Sequence, residues 1–193
     1  MDFKIVGVVG QIASGKGILV KYLTKRLGFI SFSLSFIVHE ELKNKNIKEF
    51  SRKTLQDIGD DLRKRYGNDV LARRAVKIFL KQGRNRVVIE GIRNPGEIEY
   101  LKTLPNFILI GVKAKRELRF KRLLARVKPW DPKTYKDFLK VDRRDIGVGQ
   151  QKSGQQVGEC LAFCDYVLTN NKDVKDFQKK VKELMKRIFK LST

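Results

Sequence analysis

Residues 4–24, KIVGVVGQIASGKGILVKYLT, constrain the fold more than any other stretch of this chain. Ile5, Val6, Val8 and Val9 make a short apolar run bounded by glycine, the pattern of a strand buried on both faces. Gly10, Gln11, Ile12, Ala13, Ser14, Gly15 and Lys16 follow with the spacing GxxxxGK, and Ile18, Leu19, Tyr22 and Leu23 then recur at helical spacing. A strand, a glycine loop and a helix start in this order make a phosphate-binding loop. The glycines let the backbone close around a phosphate chain, and the helix N-terminus favours the anion. Lys16 adds a mobile cation for the terminal phosphates, so residues 10–18, with Gly17 and Ile18 at their end, are expected to cradle ATP.

Gly17 stands where the commoner pattern has a Ser or Thr that ligates Mg²⁺ directly, and Ile18 follows it. A metal held through waters and nucleotide oxygens is therefore expected. Beyond the loop, further apolar runs read as strands at Phe29–Ser33, Arg86–Glu90, Phe107–Val112 and Tyr166–Thr169. Helical patterns lie between them: from about Phe36, from Ser51 to a break at Tyr66-Gly67-Asn68, from Val70 to Gly83, and from Glu97 to Leu101. The last helix carries Val174, Phe177, Val181, Leu184 and Ile188 on one stripe with lysines opposite. Strands alternating with helices predict an α/β fold: a five-stranded parallel sheet, helices on both faces, and the ligand beyond the strands' C-terminal ends. No linker divides the 193 residues, which read as one domain.

Phosphoryl transfer needs positive charge around the moving group, in-line placement and exclusion of water. Glu90-Gly91-Ile92-Arg93 ends the third strand with a carboxylate placed to orient Mg²⁺ waters and an arginine able to fork onto a phosphate. A Glu–Arg pair that merely steadies a turn would read the same way. Residues 113–145 hold thirteen Lys and Arg against five acids, as two helices around Pro129-Trp130-Asp131-Pro132. Arg116, Arg119, Arg122 and Arg126 recur on one side, and Arg143 and Arg144 lie further along. Either this is a solvated basic face or a lid that closes arginines onto the transferring phosphate. A Gln/Gly-rich loop follows from Gly147 to Glu159.

The GKG form resembles the adenylate-kinase branch of the nucleoside-monophosphate kinases, and VVIEGIRNPGEIEYL is similar to the acceptor-gripping turn of P-loop nucleotide kinases, with Glu90 in place of their Asp. RKTLQDIGDDLRKRYGNDVLARR resembles the acceptor-side helices of deoxynucleoside-monophosphate kinases and of an uncharacterised archaeal kinase-like family. RFKRLLAR followed by DRRD resembles the lid, and AFCDYVLTNN resembles the fifth-strand ending of dephospho-coenzyme-A kinases. The resemblance implies acceptor-binding helices over about 35–82 and a lid over about 113–145. It also implies that Arg52, Arg63, Arg93 and Glu97 face the acceptor and that Arg122, Arg126, Arg143 and Arg144 close on the γ-phosphoryl. Glu90 would hold the metal through water. The implied reaction passes the γ-phosphoryl of ATP to a (deoxy)nucleoside monophosphate with Mg²⁺. A phosphate acceptor is already ionised and needs arginines instead of a base, and the turn Ser33-Leu34-Ser35-Phe36 holds no acid, which tilts the reading away from dephospho-coenzyme-A kinase.

The formal charge of +22 leaves nucleic acid open as a partner, so a nucleotide-gated nucleic-acid-binding protein stands as the rival from another class. No run reaches the ~18 apolar residues of a membrane span, and a cytoplasmic protein is expected. Cys160 and Cys164 sit four apart with only His39 as histidine, so small buried thiols are expected in preference to zinc ligands.

Overall fold

The computed structural model describes residues 4–126 and 128–190. Its five strands are β1 (Lys4–Gly10), β2 (Ile30–Ser33), β3 (Arg86–Ile92), β4 (Phe107–Lys113) and β5 (Tyr166–Thr169), all parallel in the order β2-β3-β1-β4-β5. β1 lies at the centre because both of its faces are apolar. Ile5 and Val9 point into one core, Val6 and Val8 into the other.

The second of these cores is covered by α1 (Lys16–Leu27) and α9 (Val174–Phe189), through Leu19, Leu23, Phe177, Val181 and Met185. The first is covered by α2 (Ser35–Asn44), α3 (Arg52–Tyr66), α4 (Val70–Lys81), α5 (Pro95–Lys102) and the one-turn α8 (Val157–Cys160). Their ends follow local chemistry. Ser51 caps α3 by accepting from the Thr54 N–H, and Thr54 reciprocates. Asn94 caps α5 ahead of Pro95, with Glu97 completing the capping box. Gly28 ends α1 in the left-handed conformation.

α6 (Arg116–Ala125) and α7 (Tyr135–Ile146) form a separate layer over the phosphate loop, where Leu123, Phe138 and Ile12 make a third small core. Arg119 and Asp142 are both buried there. The Arg119 guanidinium donates to the two Asp142 oxygens at 2.5 and 2.9 Å and to the Ile12 carbonyl at 3.3 Å. This pair fixes α6 to α7 and both to the loop. The segment expected to be a lid over 113–145 thus begins inside β4, and its two helices rest on the third core. The turn from 128 to 134 reaches across to α3, as does Arg144 of α7.

The Gln/Gly-rich stretch is more ordered than its composition predicts. The Asn94 side chain donates to the Lys152 and Gly154 carbonyls, and the Gln156 N–H donates to Arg93. Val157, Cys160 and Leu161 then join the first core, through α8 and a 3-10 turn, Leu161–Phe163. Cys160 is buried and its thiol is pushed up by that burial. Cys164, expected to be buried as well, is only partly covered and lies beyond the 3-10 turn.

β1 and β3 run in register up to Val8 opposite Glu90, after which Val9 pairs with Ile92 and Gly91 is left out as a bulge. Gly91 has φ 84°, and the Leu34 N–H bonds the Glu90 carbonyl at 2.8 Å.

Candidate active site

The phosphate loop is held open by packing. A Cβ at Gly10 would run into the Val112 carbonyl, and one at Gly15 (φ 105°) into the Asn170 side chain. Asn170, buried at the end of β5, donates from its amide to the Ser14 carbonyl at 2.9 Å. Ser14 is buried with its hydroxyl unpartnered. Gly15 precedes α1, whose first N–H groups lack intrahelical partners and border the loop.

Lys16 folds back on this loop, donating to the Gly10 and Gln11 carbonyls at 2.6 and 2.9 Å. Burial, with the charges of Arg93 and Arg126, holds its ammonium well below the usual lysine pKa, and Glu90 partly opposes this. Lys16 thus feels the charges of Arg93, Arg126, Arg52 and Glu90 at the C-terminal end of the sheet. Glu90 accepts from the Ser31 hydroxyl at 3.3 Å. Burial lowers the Arg93 pKa to about 10, with Arg52 and Arg63 adding repulsion.

The arginines expected on the acceptor side are each met by a carboxylate. Arg93 pairs with Asp145 of α7. Arg63 is buried and donates to Glu97 at 2.9 Å and to Asp60 at 3.2 Å. Glu97 itself has no exposed surface. Its oxygens accept from Arg63 and from the Arg93 and Asn94 N–H groups, so it braces arginines and does not offer itself to an acceptor. Asp131 in the lid turn takes Arg52 on one oxygen and Arg126 on the other, both at 2.6 Å. Burial works against the Asp131 charge, but those two hydrogen bonds outweigh it and keep its pKa below the usual carboxylate value.

The other arginines of the expected lid are held by protein partners or exposed. Arg122 donates to the Asn170 carbonyl, the Asn170 side chain and the Lys172 carbonyl, at the end of β5. Arg144 is held by Asp57 and Asp60 of α3, at 2.6 and 2.7 Å. Arg143 is exposed and joins none of these pairs. Asp131, Asp142 and Asp145 were missed as site-building residues. The only local signal was the DRRD run, in which Asp142 and Asp145 flank two arginines.

Two cavities lie beside these arginines. A small one of about 40 Å³ lies among Ser35, Gly59, Arg63, Gly91 and Arg93. Across its floor the Gln56 amide donates to Gln155 at 2.9 Å, both side chains being buried. A larger cleft of about 650 Å³ opens between α3, the lid turn and α7. Arg52 and Gln56 line both. Among the described residues no cluster of three His, Cys, Asp or Glu forms a metal site. Mg²⁺ arriving with a nucleotide needs only a carboxylate besides phosphate oxygens and water, and Glu90 fits that requirement.

A parallel 2-3-1-4-5 sheet with a glycine loop and lysine after its central strand defines the P-loop kinase fold. Solved structures share it: a Thermus thermophilus protein, TT1252 (18% identical, TM-score 0.61, covering all of both chains), the shikimate kinase of Bacteroides thetaiotaomicron (13%, 0.55, 98% of this chain and 99% of that one) and the dephospho-CoA kinase of Campylobacter jejuni (20%, 0.53, 96% and 97%). No family profile matches the chain. Individual relatives do: UPF0200 proteins of Sulfurisphaera tokodaii (32% identical, 96% of this chain and 97% of the relative) and Thermococcus kodakarensis (33%, 95% and 97%). The chain belongs to the UPF0200 family. Among the described residues no helix is long and apolar enough to cross a membrane.

Proposed function

We propose that the protein is an ATP-dependent kinase of a small, nucleotide-type acceptor. The observation that carries this reading is the convergence of Lys16 with Arg93, Arg126 and Glu90 over a steric phosphate loop. In it, residues 10–18 bind the donor phosphates and Mg²⁺ neutralises charge between them, with Glu90 orienting its waters. Lys16 and Arg126 stabilise the charge that develops on the γ-phosphoryl. Arg52, Arg63 and Arg93 border the acceptor.

The acceptor group follows from the ion pairs. A (deoxy)nucleoside monophosphate would bring a phosphate dianion to arginines already matched by Asp145, Glu97, Asp60 and Asp131. Displacing a buried carboxylate from its arginine leaves a charge uncompensated, which costs several kcal/mol. An acceptor hydroxyl avoids that cost, and Glu90 is the carboxylate available as its base. The hydroxyl oxygen would bond to the γ-phosphorus while the bond to the bridging oxygen breaks. ADP would leave with that electron pair, and the hydroxyl proton would pass to Glu90.

The test is ADP release measured across the (d)NMPs and dephospho-coenzyme A, with Lys16→Ala alongside. Lys16→Ala is expected to fold normally and to lose turnover by about 10²–10³-fold, the size of removing one preorganised charge from a transition state. Turnover near wild type in that variant would rule out the kinase. Turnover on (d)NMPs alone would restore the phosphate acceptor.

A further inference from the structure

The cavity beside Arg93 cannot hold an acceptor by itself. At about 40 Å³ it is far below the several hundred Å³ of a small-molecule site. The adjoining cleft, at about 650 Å³, is within that range. Arg52 and Gln56 form the partition, and both are held by single contacts: Arg52 by Asp131, and Gln56 by Gln155. Arg52 also keeps a buried Nε–H with no partner.

The cleft has a two-part chemistry. Phe50 and Trp130 stack in its wall with ring centroids 5.5 Å apart and 30° between planes, and Pro129 and Pro132 extend this apolar surface. Lys133 and Lys140 stand exposed at its rim. Of the acids there, Asp131 is taken by its two arginines, while Asp137 accepts from Thr134 at the start of α7 and pairs with Lys140 at 3.5 Å, so Lys133 is the cation less engaged by them. A flat or apolar group would lie against the rings, and an anionic group would meet the lysines.

Resting on the kinase reading above, we infer that the acceptor is larger than a mononucleotide. Its reacting end sits beside Arg93 and Glu90, its midsection passes Arg52 and Gln56, and an apolar, anionic remainder fills the cleft under Trp130. Continuity decides this over an unrelated effector site, because the same two side chains line both spaces. Lys133, exposed at the rim, becomes a residue that selects the acceptor.

Trp130 is the chain's single tryptophan, so its emission reports on this cleft alone. Titrations with AMP and dCMP, and with two extended nucleotides, dephospho-coenzyme A and ADP-ribose, are compared in the presence of a non-hydrolysable ATP analogue. At least one extended nucleotide is expected to shift the emission at a concentration tenfold or more below that of the mononucleotides. The double variant Lys133→Glu, Lys140→Glu changes exposed side chains only. It should raise that concentration, and KM for the extended acceptor, about tenfold, with kcat and ATP affinity unchanged. The inference is overturned if mononucleotides act equally well, if no extended nucleotide moves the emission at millimolar concentration, or if the double variant has no effect. ADP release with a silent Trp130 overturns the cleft alone. An emission shift without ADP release, in wild type and Lys16→Ala alike, overturns the kinase.

Discussion

Three glycines in the phosphate loop carry different obligations. Gly10 and Gly15 are fixed by what surrounds them, a strand carbonyl and the Asn170 amide. Gly17 is not: a Cβ there meets nothing within 4 Å, and its backbone is helical, inside the first turn of α1. Serine has the better helix propensity and restricts the unfolded chain, so Gly17→Ser should stabilise by roughly 0.4–1 kcal/mol. That corresponds to about 1–4 °C in a thermal melt of a chain this size. It also returns a hydroxyl to the place where the commoner loop holds Mg²⁺, and the Mg²⁺ concentration for half-maximal turnover should fall. A lowered melting temperature would show that the space is not free. The difference between Gly15 and Gly17 is invisible in the string GKG, because only the fold brings Asn170 within reach.

At the scale of elements, the lid turn is joined to α3 chiefly through Asp131. Its pKa is depressed, so its contribution to stability is present above the unfolded value of 3.8 and is lost as pH falls below it. Acidification should therefore release the turn from Arg52, and Trp130 emission should show a step below pH 3.8 that Asp131→Asn lacks. The same variant should cost about 1–3 kcal/mol, the range for leaving buried donors short of an acceptor. An unchanged pH profile would mean that the turn is held by the Arg52 N–H to Trp130 carbonyl bond, 3.1 Å, and by ring packing. The strands and the helices of the acceptor side were legible because each repeats an apolar period. The ion pairs were not. Asp131 and Arg52 lie 79 residues apart, and Arg93 and Asp145 lie 52 apart, so nothing local marks them as partners. α8 was equally hidden, since a single turn has no period to detect.

For the whole molecule, the buried arginines of the candidate site are matched by carboxylates, and the surplus charge is spread over exposed side chains. The exposed face of α9 and its approach carry part of it: Lys172, Lys175, Lys179, Lys182, Arg187 and Lys190. A lysine-rich face without interleaved aromatics should bind phosphate backbones by counterion release and little else. Binding of a mixed-sequence duplex, followed by fluorescence anisotropy, should fall steeply between 50 and 200 mM salt. It should be indifferent to ATP and to Lys16→Ala. Absence of binding at low salt would remove nucleic acid as a partner, and a dependence on ATP would favour the nucleotide-gated reading.

The bulge at Gly91 settles a matter of parity. In a regular strand, side chains three positions apart face opposite sides of the sheet. Ile89 and Ile92 are three apart, yet both enter the first core. By dropping one residue out of the count, Gly91 makes an odd separation behave as an even one. Chain length between these two residues is therefore as fixed as their identity: a conservative exchange at either leaves the geometry standing, whereas loss of a single neutral glycine would turn Ile92 to the far side of the sheet.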